Sequence, residues 1–257
     1  MPERRRPSLV LVHGAWQGSW VWDRLRPELA ARGWDTVAVD LPGNGWGTRG
    51  GEDATFSSQT DHLLTLLAAL PGPAVLIGHS GGGLSVTQAA EAAPERVAAV
   101  VYLAGMMLPS GTPYSALVVE AAQAEGRAFP GVGPRLHWSA DRRATRVPVD
   151  AAREIFLHDA DPDTAAWAAE RLRPQAEAAR AVAPCWTSAR FGRLPRLYVE
   201  ALDDRSLVLP VQRLMQVRVP GAIRASVDCG HVPQLVRPVE TAEVLDRALK
   251  PMTGDGR

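Results

Sequence analysis

Short apolar runs that return at intervals of a few tens of residues constrain this chain more than any other feature. Residues 8–13 (SLVLVH), 36–39, 74–77 and 97–103 are such runs, and 196–200 and 223–227 repeat the pattern nearer the C-terminus. Between them lie stretches with apolar residues near helical spacing: 20–32, where Val21, Leu25, Leu29 and Ala30 share a side, then 57–70, 84–93, 210–218 and 239–249. A strand that is apolar at consecutive positions has both faces covered. Strands alternating with helices through short connections are parallel and joined by crossovers. The pattern predicts an α/β architecture, a mostly parallel central sheet with helices on both faces.

The rhythm fails between 106 and 190. Pro- and Arg-interrupted segments stand there instead, with helical candidates at 114–123, 150–158 and 164–173. A structureless loop of about 85 residues is foreign to a compact domain. The expectation is a core formed by 1–105 and 191–257, interrupted by a mainly helical cap at 106–190 that roofs a site.

Composition narrows the function classes. Of 257 residues, 46% are hydrophobic, enough for one sizeable core, and 28 basic residues balance 28 acidic ones. That balance supplies no basic footprint for a nucleic acid and no attraction to an anionic membrane. The two cysteines, Cys185 and Cys229, are too few for a disulfide framework and lack metal or redox spacing. The apolar run after Arg4, Arg5 and Arg6 stops at His13, short of a signal-peptide core, and no segment approaches a membrane span. A cytoplasmic protein with reduced thiols and no metal or organic cofactor is expected. Its partner is a small molecule, and a homodimer is left open.

The chemistry gathers around Gly78-His79-Ser80-Gly81-Gly82, which fits G-x-S-x-G. The pentapeptide arises by chance about 0.1 times in a chain so rich in glycine. Its setting raises its value, because it follows an apolar strand and opens a helix, as a sharply turned nucleophile does. A serine hydroxyl needs a base to take its proton. Of the six histidines, His231 lies in a loop just after the last strand, at the carboxyl edge where open α/β sheets place their sites. His62 lies in a helix, His137 and His158 in the cap, and His13 and His79 beside turns. An acid must orient the imidazole, and Asp203-Asp204 follows the strand at 196–200. Serine, acid, histidine is the order such sheets use. The two aspartates are not separated by this reasoning.

At this point the chain resembles a known family. His13-Gly14-Ala15-Trp16-Gln17-Gly18-Ser19-Trp20-Val21-Trp22 is similar to the opening of the α/β-hydrolase group that holds plant methylesterases, hydroxynitrile lyases and bacterial carboxylesterases. The segments 39–43, 78–82, 198–205 and Gly230-His231 follow in that group's order. The resemblance spans roughly 8–249 and is weakest in the cap. It implies the α/β-hydrolase fold and carboxylesterase activity on a hydrophobic or aromatic ester. It also implies a Ser80–His231–Asp204 triad, Asp204 being the acid six positions after Tyr198, with Asp203 as fallback. The backbone N–H groups of Ala15 and Gly81 are implied as the oxyanion hole, and His13 as a structural pin of that turn.

Lyases of this type carry a hydroxyl or amide side chain where Gly14 stands and a lysine where Val232 stands, so both residues favour a hydrolase. Glycine leaves room for an ester group. A cyclase that forms or opens lactones would use the same triad, and a ligand receptor would use the same pocket. Gly14, Trp138, Trp167 and Val232 are the pocket candidates. Met106, Met107, Phe129, Phe156 and Trp186 enrich the same region, while Arg142, Arg143 and Arg146 read as a solvated face. The stretch 172–175 (Leu-Arg-Pro-Gln) resembles a recurrent feature of bacterial relatives and has no mechanism at this level.

Overall fold

The computed structural model describes residues 6–44 and 54–254. Gly45, Gly47, Gly50 and Gly51 of the glycine-rich loop, and Arg4 and Arg5, lie outside the described residues. The chain opens with β1 (Leu9–Val12), a 3-10 turn at Ser19–Trp22, α1 (Leu25–Ala31), β2 (Thr36–Val39) and α2 (Phe56–Ala69). Thr55 and Ser58 cap α2 reciprocally, satisfying two backbone N–H groups that its first turn leaves open. Then come β3 (Ala74–His79), α3 (Gly82–Ala92) and β4 (Val97–Leu103).

The segment between β4 and the next core strand carries α4 (Tyr114–Glu125), β5 (His137–Trp138), β6 (Ala144–Arg146), α5 (Val149–Ala151), a π-helical turn (Ala152–Phe156), α6 (Pro162–Ala169), β7 (Gln175–Ala176) and α7 (Glu177–Arg180). The core resumes with β8 (Arg196–Ala201), α8 (Leu209–Arg218), β9 (Ala222–Val227), α9 (Pro233–Val236) and α10 (Pro238–Thr253).

The six core strands are all parallel, in the order β2-β1-β3-β4-β8-β9. Side chains alternate across the sheet, so each strand feeds two cores. Leu9, Leu11, Val75, Ile77, Val101 and Val199 join Leu25 and Leu29 of α1 and Leu245 and Leu249 of α10 on one face. Val10, Val12, Leu76, Val100 and Tyr102 meet Leu63, Leu67, Val86, Ala90 and Met215 on the other. Both faces are apolar over the middle of the sheet, which is why β1, β3 and β4 read as nearly unbroken runs. Each fully buried Val or Leu contributes about 1.5–3 kcal/mol, and β1 consists of nothing else.

β1 lies between β2 and β3, so the chain leaves it toward one edge and returns to build the other. Such a reversal opens a crevice at the carboxyl ends, where ligands of open α/β sheets bind. The residues after β1 and β3 therefore meet there. The cap is less purely helical than the sequence predicts: β5, β6 and β7 form a three-stranded antiparallel sheet. With two or three residues each, these strands are too short to display a period. The helix expected at 150–158 is a single α turn running into the π turn. Among the described residues no helix is long and apolar enough to cross a membrane.

Candidate active site

β3 delivers Ser80 to the crevice in the left-handed region, with φ of 50°. That conformation costs a non-glycine residue about 1–3 kcal/mol and persists only where surrounding structure imposes it. The imposing structure is close packing at the start of α3. A Cβ on Gly82 would stand 2.5 Å from the His13 carbonyl oxygen. The turn lifts the hydroxyl clear of the sheet and leaves it at the floor of the crevice.

His231, beyond β9, turns its Nε2 to 3.1 Å from Ser80 Oγ. Its Nδ1–H donates to Asp204 Oδ2 at 2.7 Å. The other carboxylate oxygen of Asp204 accepts the Ser206 and Leu207 N–H groups at 2.7 and 2.9 Å. Both side chains are sealed from water, at 3% exposure for His231 and 0% for Asp204. A buried carboxylate with three donors is held in one orientation, and it fixes which imidazole nitrogen carries the hydrogen. Asp203 points elsewhere, accepting from His158 Nε2 at 3.0 Å. The geometry thus separates the two aspartates.

Ala15 and Gly81 face one another across the crevice: a Cβ on Gly81 would sit 3.6 Å from the Ala15 nitrogen. Among the described residues neither of these two N–H groups has a protein acceptor. The loop bearing Ala15 is pinned from below. His13 donates from Nδ1 to the Gly14 carbonyl, and its Nε2 accepts the Leu41 N–H at 3.0 Å. Gly14 N–H reaches Gln17 Oε1, beside His79, whose own Nε2–H donates to the His231 carbonyl at 2.7 Å. Burial holds the His79 imidazole well below the usual histidine range, reinforced by His231, and lowers His13 as well. Both are therefore neutral structural histidines.

Sequence reasoning missed the clamp on Trp16, the residue after Ala15. Its N–H donates to Gln175 Oε1, its carbonyl accepts from Arg173 N, and its indole N–H reaches Thr145. All three partners belong to the cap, and Gln175 ends the stretch 172–175, to which the sequence alone attaches no mechanism. That stretch is the signal the sequence offers.

A cavity of about 560 Å³ opens onto Ser80, with Leu41, Leu84, Tyr114, Phe129 and Trp138 among its apolar walls. Of the pocket candidates, Gly14 and Trp138 line it, and so do Ala15 and Gly81. Two candidates do not. Trp167 packs edge-on against Trp20 at 5.3 Å, under the Arg171 guanidinium. Val232 is 1% exposed and belongs to the core beneath α9. Nor does Gly14 leave room for substrate: a Cβ there would lie 2.9 Å from Ser80 Cβ, so the glycine admits the nucleophile itself. Met106 and Phe129 line the cavity, whereas Met107, Phe156 and Trp186 do not. Among the described residues no group of three or more His, Cys, Asp or Glu side chains is placed to hold a metal ion.

A sharply turned serine between a parallel strand and its helix, with acid and base on loops after later strands, defines the α/β hydrolases as a class. The chain belongs to the α/β hydrolase family, whose profile matches residues 9–244. Among its relatives, pyrethroid hydrolase from Sphingobium wenxiniae is 29% identical over 255 residues, spanning 93% of this chain and 86% of that one. Salicylic acid-binding protein 2 of Nicotiana tabacum is 29% identical over 214 residues, or 79% and 82% of the two chains. The crystal structure of a pyrethroid hydrolase from Sphingobium faniae JZ-2 superposes with a TM-score of 0.84 at 27% identity, covering 97% and 98%.

Proposed function

We propose that the protein is a carboxylesterase cleaving esters of hydrophobic or aromatic small molecules through an acyl-enzyme on Ser80. The observation that carries this reading is the hydrogen-bonded line from Ser80 Oγ through His231 to buried Asp204 at the floor of an apolar cavity. His231 Nε2 takes the hydroxyl proton as Oγ attacks the ester carbonyl. The oxyanion that forms accepts the Ala15 and Gly81 N–H groups, each such donor being worth roughly 10²–10³ in rate. Asp204 orients and stabilises the imidazolium, which then protonates the leaving alcohol. Water, deprotonated by the same imidazole, attacks the acyl-enzyme and releases the carboxylic acid and free Ser80.

Similarity to proteins named pyrethroid hydrolase and methylesterase supports ester hydrolysis here. No positive side chain follows His231, since Val232 is apolar and buried, and this argues against a site built to receive cyanide. The two thiols are unpaired, in keeping with the cytoplasmic location we assign. The test is incubation with a fluorophosphonate followed by mass spectrometry, beside assays on aryl esters and mandelonitrile. Adduct on Ser80 and ester turnover abolished by Ser80→Ala are expected. Mandelonitrile cleavage without ester turnover, or no adduct at any pH, would sink the proposal.

A further inference from the structure

The cap does more than roof the cavity. Its segment from the π turn to Asp159 touches both the base and the loop of the acid. The Phe156 ring lies 5.2 Å from the His231 ring and 6.2 Å from that of Trp16, bridging the base and the oxyanion loop. His158 donates from Nε2 to Asp203 Oδ2 at 3.0 Å with its side chain only 7% exposed. Asp159 Oδ2 accepts the Gly230 N–H at 2.7 Å. Asp203 immediately precedes Asp204, and Gly230 immediately precedes His231. The two loops are also tied directly, Asp203 N–H donating to the Cys229 carbonyl at 2.9 Å.

Gly230 shows that this approach is built in. A Cβ there would lie 2.5 Å from Asp159 Oδ1 and 2.7 Å from His158 Cε1. Its φ is not left-handed, so the backbone does not demand glycine; the cap side chains do. The docking also leaves His158 Nδ1 and Asp159 Oδ1 buried without partners among the described residues.

We infer that Asp159, aided by His158 and Phe156, is a positioning residue for the triad: the cap holds His231 and Asp204 in register, and the site is complete only while this segment is docked. The inference rests on the esterase reading for its kinetic consequence. Displacing a catalytic group by about 1 Å costs on the order of 10²-fold in rate. A loosened Gly230 shifts the base without altering the cavity walls.

The test compares wild type, Asp159→Ala, Asp159→Asn and Gly230→Ala. Three readouts are taken: kcat and KM on p-nitrophenyl acetate, the rate of fluorophosphonate labelling, and the downfield proton resonance of His231 Nδ1–H. Asp159→Ala and Gly230→Ala are expected to lower kcat and labelling in parallel by roughly 10–100-fold with KM within about twofold, and to lose the resonance. Asp159→Asn, whose amide oxygen still accepts the Gly230 N–H, recovers most of both. Asp159→Ala with wild-type kcat and an intact resonance overturns the inference. So does an equal loss in Asp159→Ala and Asp159→Asn. Gly230→Ala displaces the same contact with Asp159 retained, and decides the matter if Asp159→Ala does not fold. A wild type that neither labels nor turns over esters refutes the esterase reading alone, because the resonance still reports on the docking.

Discussion

Asp203 and Asp204 are chemically identical neighbours whose side chains are 66% and 0% exposed, and their consequences for activity diverge accordingly. Asp204→Asn keeps the shape but removes the charge that fixes the imidazole, and a fall in kcat of about 10³–10⁴ is expected. Asp203→Asn retains an acceptor for His158 and is expected to cost less than about tenfold; comparable losses in the two variants would refute the assignment of the acid. Counting from Tyr198, as the family resemblance implies, selects the neighbour whose carboxylate lies 2.7 Å from His231 Nδ1. Gly81 is a different case. It sits in the right-handed region with φ of −59°, and a Cβ there would touch only Ala15, at 3.6 and 3.8 Å. Neither backbone nor close packing requires glycine, so its effect is free space beside the oxyanion donors. Gly81→Met is expected to lower the ratio of kcat/KM for a bulky aryl ester to that for an acetate by about tenfold, as a side chain filling that space discriminates by size. An unchanged ratio would place the side chain elsewhere.

The elements differ in how openly they announce themselves. The core strands are legible because the sheet is covered on both faces, leaving runs such as Ala74–His79 almost wholly apolar. The cap strands are not, since β5, β6 and β7 gain their order from contacts distant in sequence, such as Thr145 opposite Gln175. The same limit explains Trp167 and Val232. An aromatic or aliphatic residue near a site serves the core or the cavity equally well by composition, and only packing decides. What the hidden sheet does is hold Trp16, through Gln175 and Thr145, and with it the Ala15 donor. Gln175→Leu removes the acceptor of the Trp16 N–H while keeping bulk. A fall in kcat of about tenfold with a smaller change in KM is expected from a misaimed oxyanion donor. A change confined to KM would mean that Gln175 serves only as cavity wall.

For the whole molecule, the balance of 28 basic and 28 acidic residues means that folding at neutral pH works against little net self-repulsion. Its response to mild acid then depends on the few groups that folding forces out of their ordinary titration. His13 and His79 are the principal ones, both buried beneath the catalytic crevice with pKa values lowered from 6.5 by desolvation. Above that value the folded and unfolded chains bind the same number of protons at these sites. Below it the unfolded chain takes up protons that the folded one refuses, so stability falls as pH falls, by up to about 1.4 kcal/mol per pH unit for each histidine. The carboxylates Asp141, Asp150 and Asp161, lowered from 3.8, act in a separate and more acidic window. Urea unfolding of Ser80→Ala, which leaves both histidines in place, is expected to give a midpoint that is level from pH 8 to 7 and declines steadily from about 6.5 to 5. In His13→Asn, beginning from a lower stability because Leu41 N–H loses its acceptor, the decline is shallower. A midpoint that stays level down to pH 5 would mean that these imidazoles accept protons inside the fold, and the neutral pins assigned beneath the oxyanion loop would have to be abandoned.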